Sequence, residues 1–251
     1  MVQKKRLTRK EKVSVEVPRV IKEKFIEERN PPSITAKTDK QRAYLKMLND
    51  PNIQAICCLG HAGAGKTFLC SVVAADKYRR GEIEKIIVAR PYVQTGKSSG
   101  SKPGSILQKL YPYVRNVLDT IKSRIGAGAF EIALQDGEHG QIEVQELESI
   151  RGRSFDTPSW LILDEIQQST PEEMLAILTR VSDNCKLVLC GDINQRDIKG
   201  ESGLEWFLNF AERHNLPGVG IINFDSVDDI IRGGLCRDVI KGMIKDGKLK
   251  K

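Results

Sequence analysis

The sequence contains no apolar run that approaches the ~20 residues of a membrane-spanning helix. Its N-terminal segment is too polar for a secretory signal peptide. The six cysteines show no C-x-x-C spacing, and the three histidines lie far apart in sequence with no cysteine pair nearby. We therefore expect no membrane association and no zinc site. We expect buried free thiols in a reducing cytoplasm, either bacterial or that of a host cell if the chain is viral.

Aromatic residues are also scarce, at 6% of the chain, so few side chains are available for stacking on nucleic-acid bases. The net charge is moderately positive, +7 from 40 Lys and Arg against 33 Asp and Glu, and part of the excess lies in the two tails. Basic tails bind nucleic acid through its phosphates. Solvated chain ends are the more common alternative.

Length and composition favour one α/β domain with short additions, because the chain has 251 residues and 40% of them are hydrophobic. Asn30-Pro31-Pro32 ends a charged first segment, and Gly233-Gly234 interrupts an amphipathic segment near the C-terminus. We expect a basic N-terminal extension over residues 1–33, a folded domain over 34–235 and a basic C-terminal tail over 236–251.

The strongest motif in the chain is a phosphate-binding loop. The apolar run 53–59 leads into Gly60-His61-Ala62-Gly63-Ala64-Gly65-Lys66-Thr67, which fits G-x-x-x-x-G-K-[ST], and an apolar helical pattern opens at Phe68. The glycines let consecutive N–H groups point at an anion, and the start of the helix adds its positive dipole. Lys66 supplies charge for the β- and γ-phosphates, and Thr67 supplies a hydroxyl for Mg²⁺. A glycine-rich turn is the weaker alternative.

Two acids, Asp164 and Glu165, follow a second apolar run at 160–163. In a phosphate-loop protein the first acid holds Mg²⁺, usually through water, and the second polarises the attacking water. Adjacent acids are common at strand ends. The pair therefore indicates a metal site only in combination with the phosphate loop. Further apolar runs at 86–89, 187–190 and 219–224 alternate with helical patterns, which predicts a parallel sheet between helices.

Two segments between these strands are less regular. The helical pattern over residues 106–125 contains Pro112, which we expect to break or kink its first part. Residues 96–105 are rich in Gly, Ser and Lys. They form either a mobile loop near the nucleotide or a plain exposed linker.

Taken together, these motifs resemble the PhoH family of phosphate-loop ATPases, which is similar to the first motor domain of superfamily 1 helicases. The resemblance covers residues 38–232. It is carried by the two motifs above and by Ala89-Arg90-Pro91, Pro103-Gly104, Arg151-Gly152-Arg153, Ile166-Gln167, Leu178-Thr179-Arg180, Gly191-Asp192-Ile193-Asn194-Gln195 and Ser202-Gly203-Leu204. It implies a RecA-like phosphate-loop NTPase fold, in which a twisted parallel sheet has helices on both faces in three layers. It also implies ATP and Mg²⁺ as cofactors.

The resemblance implies roles for single residues as well. Gln195 resembles the glutamine that senses the γ-phosphate, with Gln167 as its partner, and Arg90 falls where helicase-like relatives contact a nucleic-acid strand. Gln41 resembles the glutamine that reads adenine, although an exposed helix residue fits nearly as well. The implied catalytic residues are Lys66, Asp164, Glu165 and Gln195. The implied metal ligands are Thr67 and Asp164. The implied nucleotide contacts are Gln41, Gly60, His61, Ala62, Gly63, Ala64, Gly65, Lys66, Thr67 and Phe68.

Arg151 and Arg153 flank a glycine and have no settled role. They either clamp a phosphate, which would place them at a nucleic-acid strand, or pair with surface acids. We favour the clamp.

The chain departs from the family pattern at two places. Residues 96–101 lack the apolar residues expected there, and Gly233-Gly234 replaces the usual His-Pro. A single motor domain also has no second lobe to bring an arginine onto the γ-phosphate. We therefore expect a homo-oligomer, such as a hexameric ring, in which a neighbouring subunit supplies Arg180 or Arg232 in trans.

Three functions fit these features. The first is an Mg²⁺-dependent ATPase coupled to RNA or single-stranded nucleic acid, with strand separation only weakly supported. The second is a nucleotide-binding regulatory module that hydrolyses slowly and acts through a protein partner. The third is a small-molecule kinase, which the Gly191–Gln195 motif and the lack of a lid signature for an acceptor argue against.

Overall fold

The computed structural model describes residues 31–91, 105–134, 140–150 and 152–247, and its centre is a six-stranded parallel sheet. The strand order across the sheet is β3-β2-β4-β5-β1-β6, and each neighbouring pair is parallel. The strands are β1 (Ala55–Gly60), β2 (Lys85–Arg90), β3 (Ile142–Glu146), β4 (Ser159–Leu163), β5 (Cys185–Gly191) and β6 (Val219–Phe224).

Helices connect the strands and cover both faces of the sheet, because parallel strands need crossovers that return over a face. The α-helices are α1 (Asp39–Asn49), α2 (Lys66–Arg79), α3 (Ile106–Ile125), α4 (Ala127–Ala133), α5 (Leu147–Ile150), α6 (Pro171–Leu178), α7 (Gly203–Arg213) and α8 (Gly234–Lys245). Short 3-10 turns occupy Ile166–Gln168, Ile193–Gln195 and Val227–Asp229.

The core divides into two apolar clusters, one on each face of the sheet. Alternate residues of a strand point to opposite faces, so in β1 the side chains of Ile56 and Cys58 join one cluster and those of Cys57 and Leu59 join the other. The first cluster packs against α1, α2 and α3, and the second packs against α5, α6 and α7. The three-layer α/β architecture with helices on both faces is thereby confirmed.

Strand order decides where the motifs meet. β5 lies between β1, which carries the phosphate loop, and β4, which ends at the acid pair. Because all the strands are parallel, their carboxyl ends lie at one edge of the sheet, and the polar residues that follow β1, β4 and β5 converge there.

The structure differs from the sequence expectations in two helices. Helix α3 continues through Pro112 without a break, and a capping box between Ser105 and Gln108 stabilises its first turn. Part of the expected C-terminal tail is helix α8, which buries Ile240 against Ile230. The expectation of buried thiols is confirmed for five of the six cysteines, while Cys236 is half-buried.

Several expectations concern residues outside the described ranges. These include the N-terminal extension up to residue 30, the segment 92–104 with Pro103-Gly104, and Arg151. Within the described ranges, no helix combines the length and the apolar character that a membrane crossing requires.

Lys186 ties α1 to the sheet. Its ammonium group donates hydrogen bonds to the carbonyl oxygens of Met47, at 3.2 Å, and Asp50, at 2.7 Å, and also to that of Ile53. Burial lowers the pKa of Lys186 to about 8, so the charged form still predominates at pH 7. Lys186 on β5 thereby adds a charged donor at the C-terminal end of α1, where the Met47 carbonyl also accepts from the backbone N–H of Asp50.

Replacing Lys186 by methionine tests this tether. We expect the free energy of unfolding to fall by about 2–3 kcal/mol, because the hydrogen bonds from a charged donor to three carbonyls are lost. Urea denaturation measures the change. Lys199→Met on the exposed surface is the matched control and should shift stability by less than about 0.5 kcal/mol. Equal stability of the two variants would contradict the assignment.

Candidate active site

The loop that follows β1 has the backbone of an anion-binding nest. Gly60, Gly63 and Gly65 have φ values of 119°, 89° and 87°, in the region that favours glycine. A Cβ on Gly60 would lie 2.2 Å from the carbonyl oxygen of Phe224, so only glycine fits between the loop and β6. Helix α2 begins immediately afterwards at Lys66, and its first N–H groups point towards the loop.

Lys66 lies over this nest. Its Nζ atom donates to the carbonyl oxygens of Gly60, at 2.5 Å, and His61, at 3.0 Å. Both acceptors belong to the loop, so the ammonium group is held where a phosphate oxygen would replace a carbonyl.

Thr67 and Asp164 meet although they are 97 residues apart in sequence. The Thr67 hydroxyl donates to Asp164 Oδ1 at 2.8 Å. Burial raises the pKa of Asp164 to about 6, with Cys190 and Glu165 adding to the effect. A divalent cation would stabilise the charged carboxylate. A hydroxyl and a carboxylate oxygen are ligands that Mg²⁺ accepts, so the residues fit the metal that the motifs predict.

Glu165 is fixed by its neighbours. It has a left-handed backbone with φ of 54°, which is uncommon for a residue other than glycine. The Gln167 side-chain amide donates to Glu165 Oε2 at 2.6 Å, and Gln167 Oε1 accepts from the backbone N–H of Asp192 at 3.2 Å. The fully buried Gln167 therefore connects the acid pair to the segment after β5.

That segment holds Gln195 close to the acids. Asp192 is buried, and its Oδ2 accepts from Gln195 Nε2 at 2.8 Å, while its Oδ1 accepts from the backbone N–H of Asn194 at 3.0 Å. A bend that depends on Asp192 thus sets the position of Gln195.

A cleft of about 780 Å³ joins these groups. It brings together most of the residues predicted from the sequence. The predicted residues along its wall are Ala62, Gly63, Gly65, Lys66, Thr67, Phe68, Arg90, Asp164, Glu165, Gln195 and Arg232. Phe68 is 49% exposed there, so its ring is available to a bound molecule.

Gln41 lies just behind the loop rather than on an exposed helix face. It is 1% exposed; its Nε2 donates to the Ala64 carbonyl at 2.9 Å, and its Oε1 accepts from the Lys37 N–H at 2.8 Å. The exposed alternative was wrong. The contact with adenine remains a prediction.

Arg90 lies on the wall of the cleft, against Tyr113. Its guanidinium carbon lies 5.6 Å from the centre of the Tyr113 ring, a cation–π distance. The sequence analysis missed the polar row on α3 beside Tyr113, formed by Asn116, Thr120 and Ser123. Their spacing of three to four residues, opposite the apolar face of an amphipathic helix, was the available signal.

Arg153 lies away from this cleft. Its guanidinium donates to Glu143 Oε2 at 2.5 Å, and Lys85 pairs with Oε1 of the same carboxylate at 2.7 Å. The Glu143 side chain is fully buried on strand β3. Of the two alternatives considered, pairing with an acid agrees with the structure, although the acid is buried rather than on the surface.

Arg232 and Arg180 take different places. The backbone N–H of Arg232 donates to the Gly63 carbonyl at 3.2 Å, so this residue lies beside the phosphate loop of its own chain. Arg180 is exposed after α6 and precedes β5, and so lies towards the opposite edge of the sheet. The trans role of either residue remains a prediction.

Residues 33–243 match the model of a protein family that is described as "PhoH-like protein". These residues include every element of this site. This chain belongs to the PhoH-like family. The resemblance inferred from the motifs is therefore confirmed.

Curated relatives agree with this assignment. A PhoH-like protein of Bacillus subtilis is 35% identical over 215 residues, which cover 85% of this chain and 65% of that protein. Protein PhoH of Escherichia coli K12 is 35% identical over 206 residues, 81% of this chain and 56% of that protein. The chain thus spans between about half and two thirds of the length of these relatives.

Among solved structures, the chain is remotely similar to a Pif1 helicase from Candida albicans. The TM-score is 0.41 and the identity 14%, with 86% of this chain and 44% of that chain covered.

Arg153→Met tests the buried ion pair. We expect the free energy of unfolding to fall by about 2–3 kcal/mol at pH 7, since a buried carboxylate loses one of its two cations. Burial favours a higher pKa for Glu143, but the bonds from Arg153 and Lys85 outweigh it and hold that pKa below its ordinary value of 4.5. The contribution of the pair is therefore present above that value and is lost as the pH falls.

Chemical denaturation of the wild type and Arg153→Met between pH 7 and pH 3 measures both effects. The double variant Arg153→Met, Glu143→Gln should lose less stability than the sum of the two single variants. A destabilisation by Arg153→Met that stayed constant down to pH 3 would show that Glu143 is not the partner that matters.

Proposed function

We propose that this protein binds ATP with Mg²⁺ and hydrolyses it. The hydrogen bond from Thr67 to Asp164 carries this proposal, because it joins the phosphate loop to the first acid after β4. Thr67 and Asp164 would hold Mg²⁺, the latter directly or through water. When bound, the ion neutralises charge on the β- and γ-phosphates.

Four side chains of this protein have the remaining roles in the proposed reaction. Lys66 binds phosphate oxygens in place of the loop carbonyls that it now contacts. Glu165 orients the attacking water and accepts its proton, and the amide of Gln167 holds the Glu165 carboxylate in place. Gln195 reaches the γ-phosphate from the segment after β5.

We further propose that hydrolysis is coupled to RNA or another single strand. Arg90 and Tyr113 support this, since they offer a guanidinium for phosphate and a 43% exposed ring for a base on the wall of the same cleft. Continuity of the cleft from Arg90 to Glu165 gives the strand a route to influence the reacting groups.

We also propose self-association, with a ring of subunits as the simplest form. Arg180 supports a role in trans, because it is exposed and remote from its own cleft. Arg232 lies beside its own loop, which favours contact with the nucleotide of the same subunit.

Glu165→Gln tests the hydrolytic assignment. The variant should bind a fluorescent ATP analogue with affinity close to that of the wild type but lose at least 100-fold in turnover, because the amide cannot accept the proton of water. Lys66→Ala is the complementary variant and should lose binding as well as turnover. Phosphate release and equilibrium binding measure the two properties. Turnover by Glu165→Gln equal to the wild type would remove Glu165 from the mechanism.

Arg90→Ala tests the coupling to a strand. We expect weaker binding to oligo(U). We also expect that the slope of log affinity against log salt concentration is smaller by about 1. Stimulation of ATP turnover by the strand should fall with it. Arg213→Ala at the exposed end of α7 is the matched control. If turnover of the wild type were slow and no RNA or DNA strand changed it, a regulatory module that acts through a protein partner would be the better description.

A further inference from the structure

The imidazole of His61 is buried inside the phosphate loop without a hydrogen-bond partner among the described residues. The residue is 2% exposed, and neither Nδ1 nor Nε2 has a partner. Its backbone is fully engaged: the N–H donates to the Phe224 carbonyl at 3.2 Å, and its own carbonyl accepts from Lys66. The ring is therefore held in place by its backbone while its polar atoms remain unsatisfied.

A candidate partner of this ring is the carboxylate of Asp192. His61 Nδ1 lies 3.9 Å from Asp192 Oδ2, beyond a hydrogen bond but about 1 Å from forming one. That same oxygen accepts the side-chain amide of Gln195 at 2.8 Å. His61 and Gln195 thus lie near one acceptor atom, and of the two Gln195 bonds it.

We infer that His61 is a positioning residue. Its ring N–H donates to Asp192 Oδ2 when the side-chain amide of Gln195 leaves that oxygen. The inference rests on the proposed ATPase function and includes the step that Gln195 leaves Asp192 when it moves to the γ-phosphate. A neutral imidazole with its proton on Nδ1 is sufficient for the exchange. The incoming N–H replaces the departing amide, so the buried carboxylate keeps the same number of donors in both states.

The energetic reason lies in the cost of unsatisfied buried groups. A buried polar atom without a partner costs free energy, and a hydrogen bond to a charged group contributes more than one between neutral groups. Without His61, release of Gln195 would leave Asp192 Oδ2 short of a donor in a buried site. With His61 present, release of Gln195 lets the imidazole N–H donate to Asp192 Oδ2, so both groups have a partner. His61 therefore lowers the cost of moving Gln195 to the nucleotide.

The alternative is that the ring only fills space beneath the loop. In that case a residue of similar size with no polar atoms would serve equally well. His61→Phe keeps the volume and removes the donor, whereas His61→Gln restores an N–H donor in a smaller, more flexible side chain. The pair of variants separates hydrogen bonding from packing.

The experiment measures steady-state ATP turnover and the affinity for ADP, which has no γ-phosphate, for the full chain with Mg²⁺. We expect His61→Phe to lower kcat about 10-fold while its affinity for ADP stays within twofold of the wild type. We expect His61→Gln to recover at least half of the loss on a logarithmic scale. His214→Phe, at the exposed end of α7, is the control and should match the wild type in both measurements.

The outcomes that overturn the inference are distinct from those that overturn the function. An unchanged kcat in His61→Phe refutes it. So does a parallel loss of ADP affinity, which indicates a distorted loop, and so does a loss of kcat that His61→Gln fails to recover. Absence of ATP turnover in the wild type refutes the proposed function itself, and the inference falls with it.

Discussion

The hydrogen bond between Thr67 and Asp164 is the contact on which the rest of the site depends. It joins the N-terminus of α2 to the end of β4 across an intervening strand, and it is possible only if β1, β5 and β4 lie parallel in one sheet. Both groups are oxygen ligands that suit a hard divalent cation. The central strands are apolar on both faces, so the sheet that brings the two groups together is held mainly by hydrophobic burial.

A chain of side-chain amides extends this contact across the site. Gln167 binds Glu165 on one side and the Asp192 backbone on the other, and Asp192 in turn binds Gln195. Three segments that follow β1, β4 and β5 are thereby linked at one edge of the sheet. His61 is the unsatisfied member next to this chain.

Much of the fold and the site could be predicted because the signals are local. Glycines with positive φ, a lysine and a hydroxyl must follow one another for a backbone nest to bind phosphate, so the motif appears intact in sequence. Arg153 shows the limit of such reasoning. Two arginines around a glycine suggested a phosphate clamp, yet the partner of Arg153 is Glu143, which only folding brings within reach. Likewise, Gln41 is buried because α1 packs behind the loop.

The sequence by itself determined the alternation of apolar strands with helices, the phosphate loop, the acid pair and the family. These features depend on neighbours within a few residues, through backbone conformation and side-chain periodicity. Only the tertiary structure decided that Thr67 bonds Asp164, that Arg232 lies beside its own loop, and that His61 and Gln195 lie near one carboxylate oxygen. Such contacts join residues far apart in the chain, and their geometry follows from strand order and register, which no local pattern encodes.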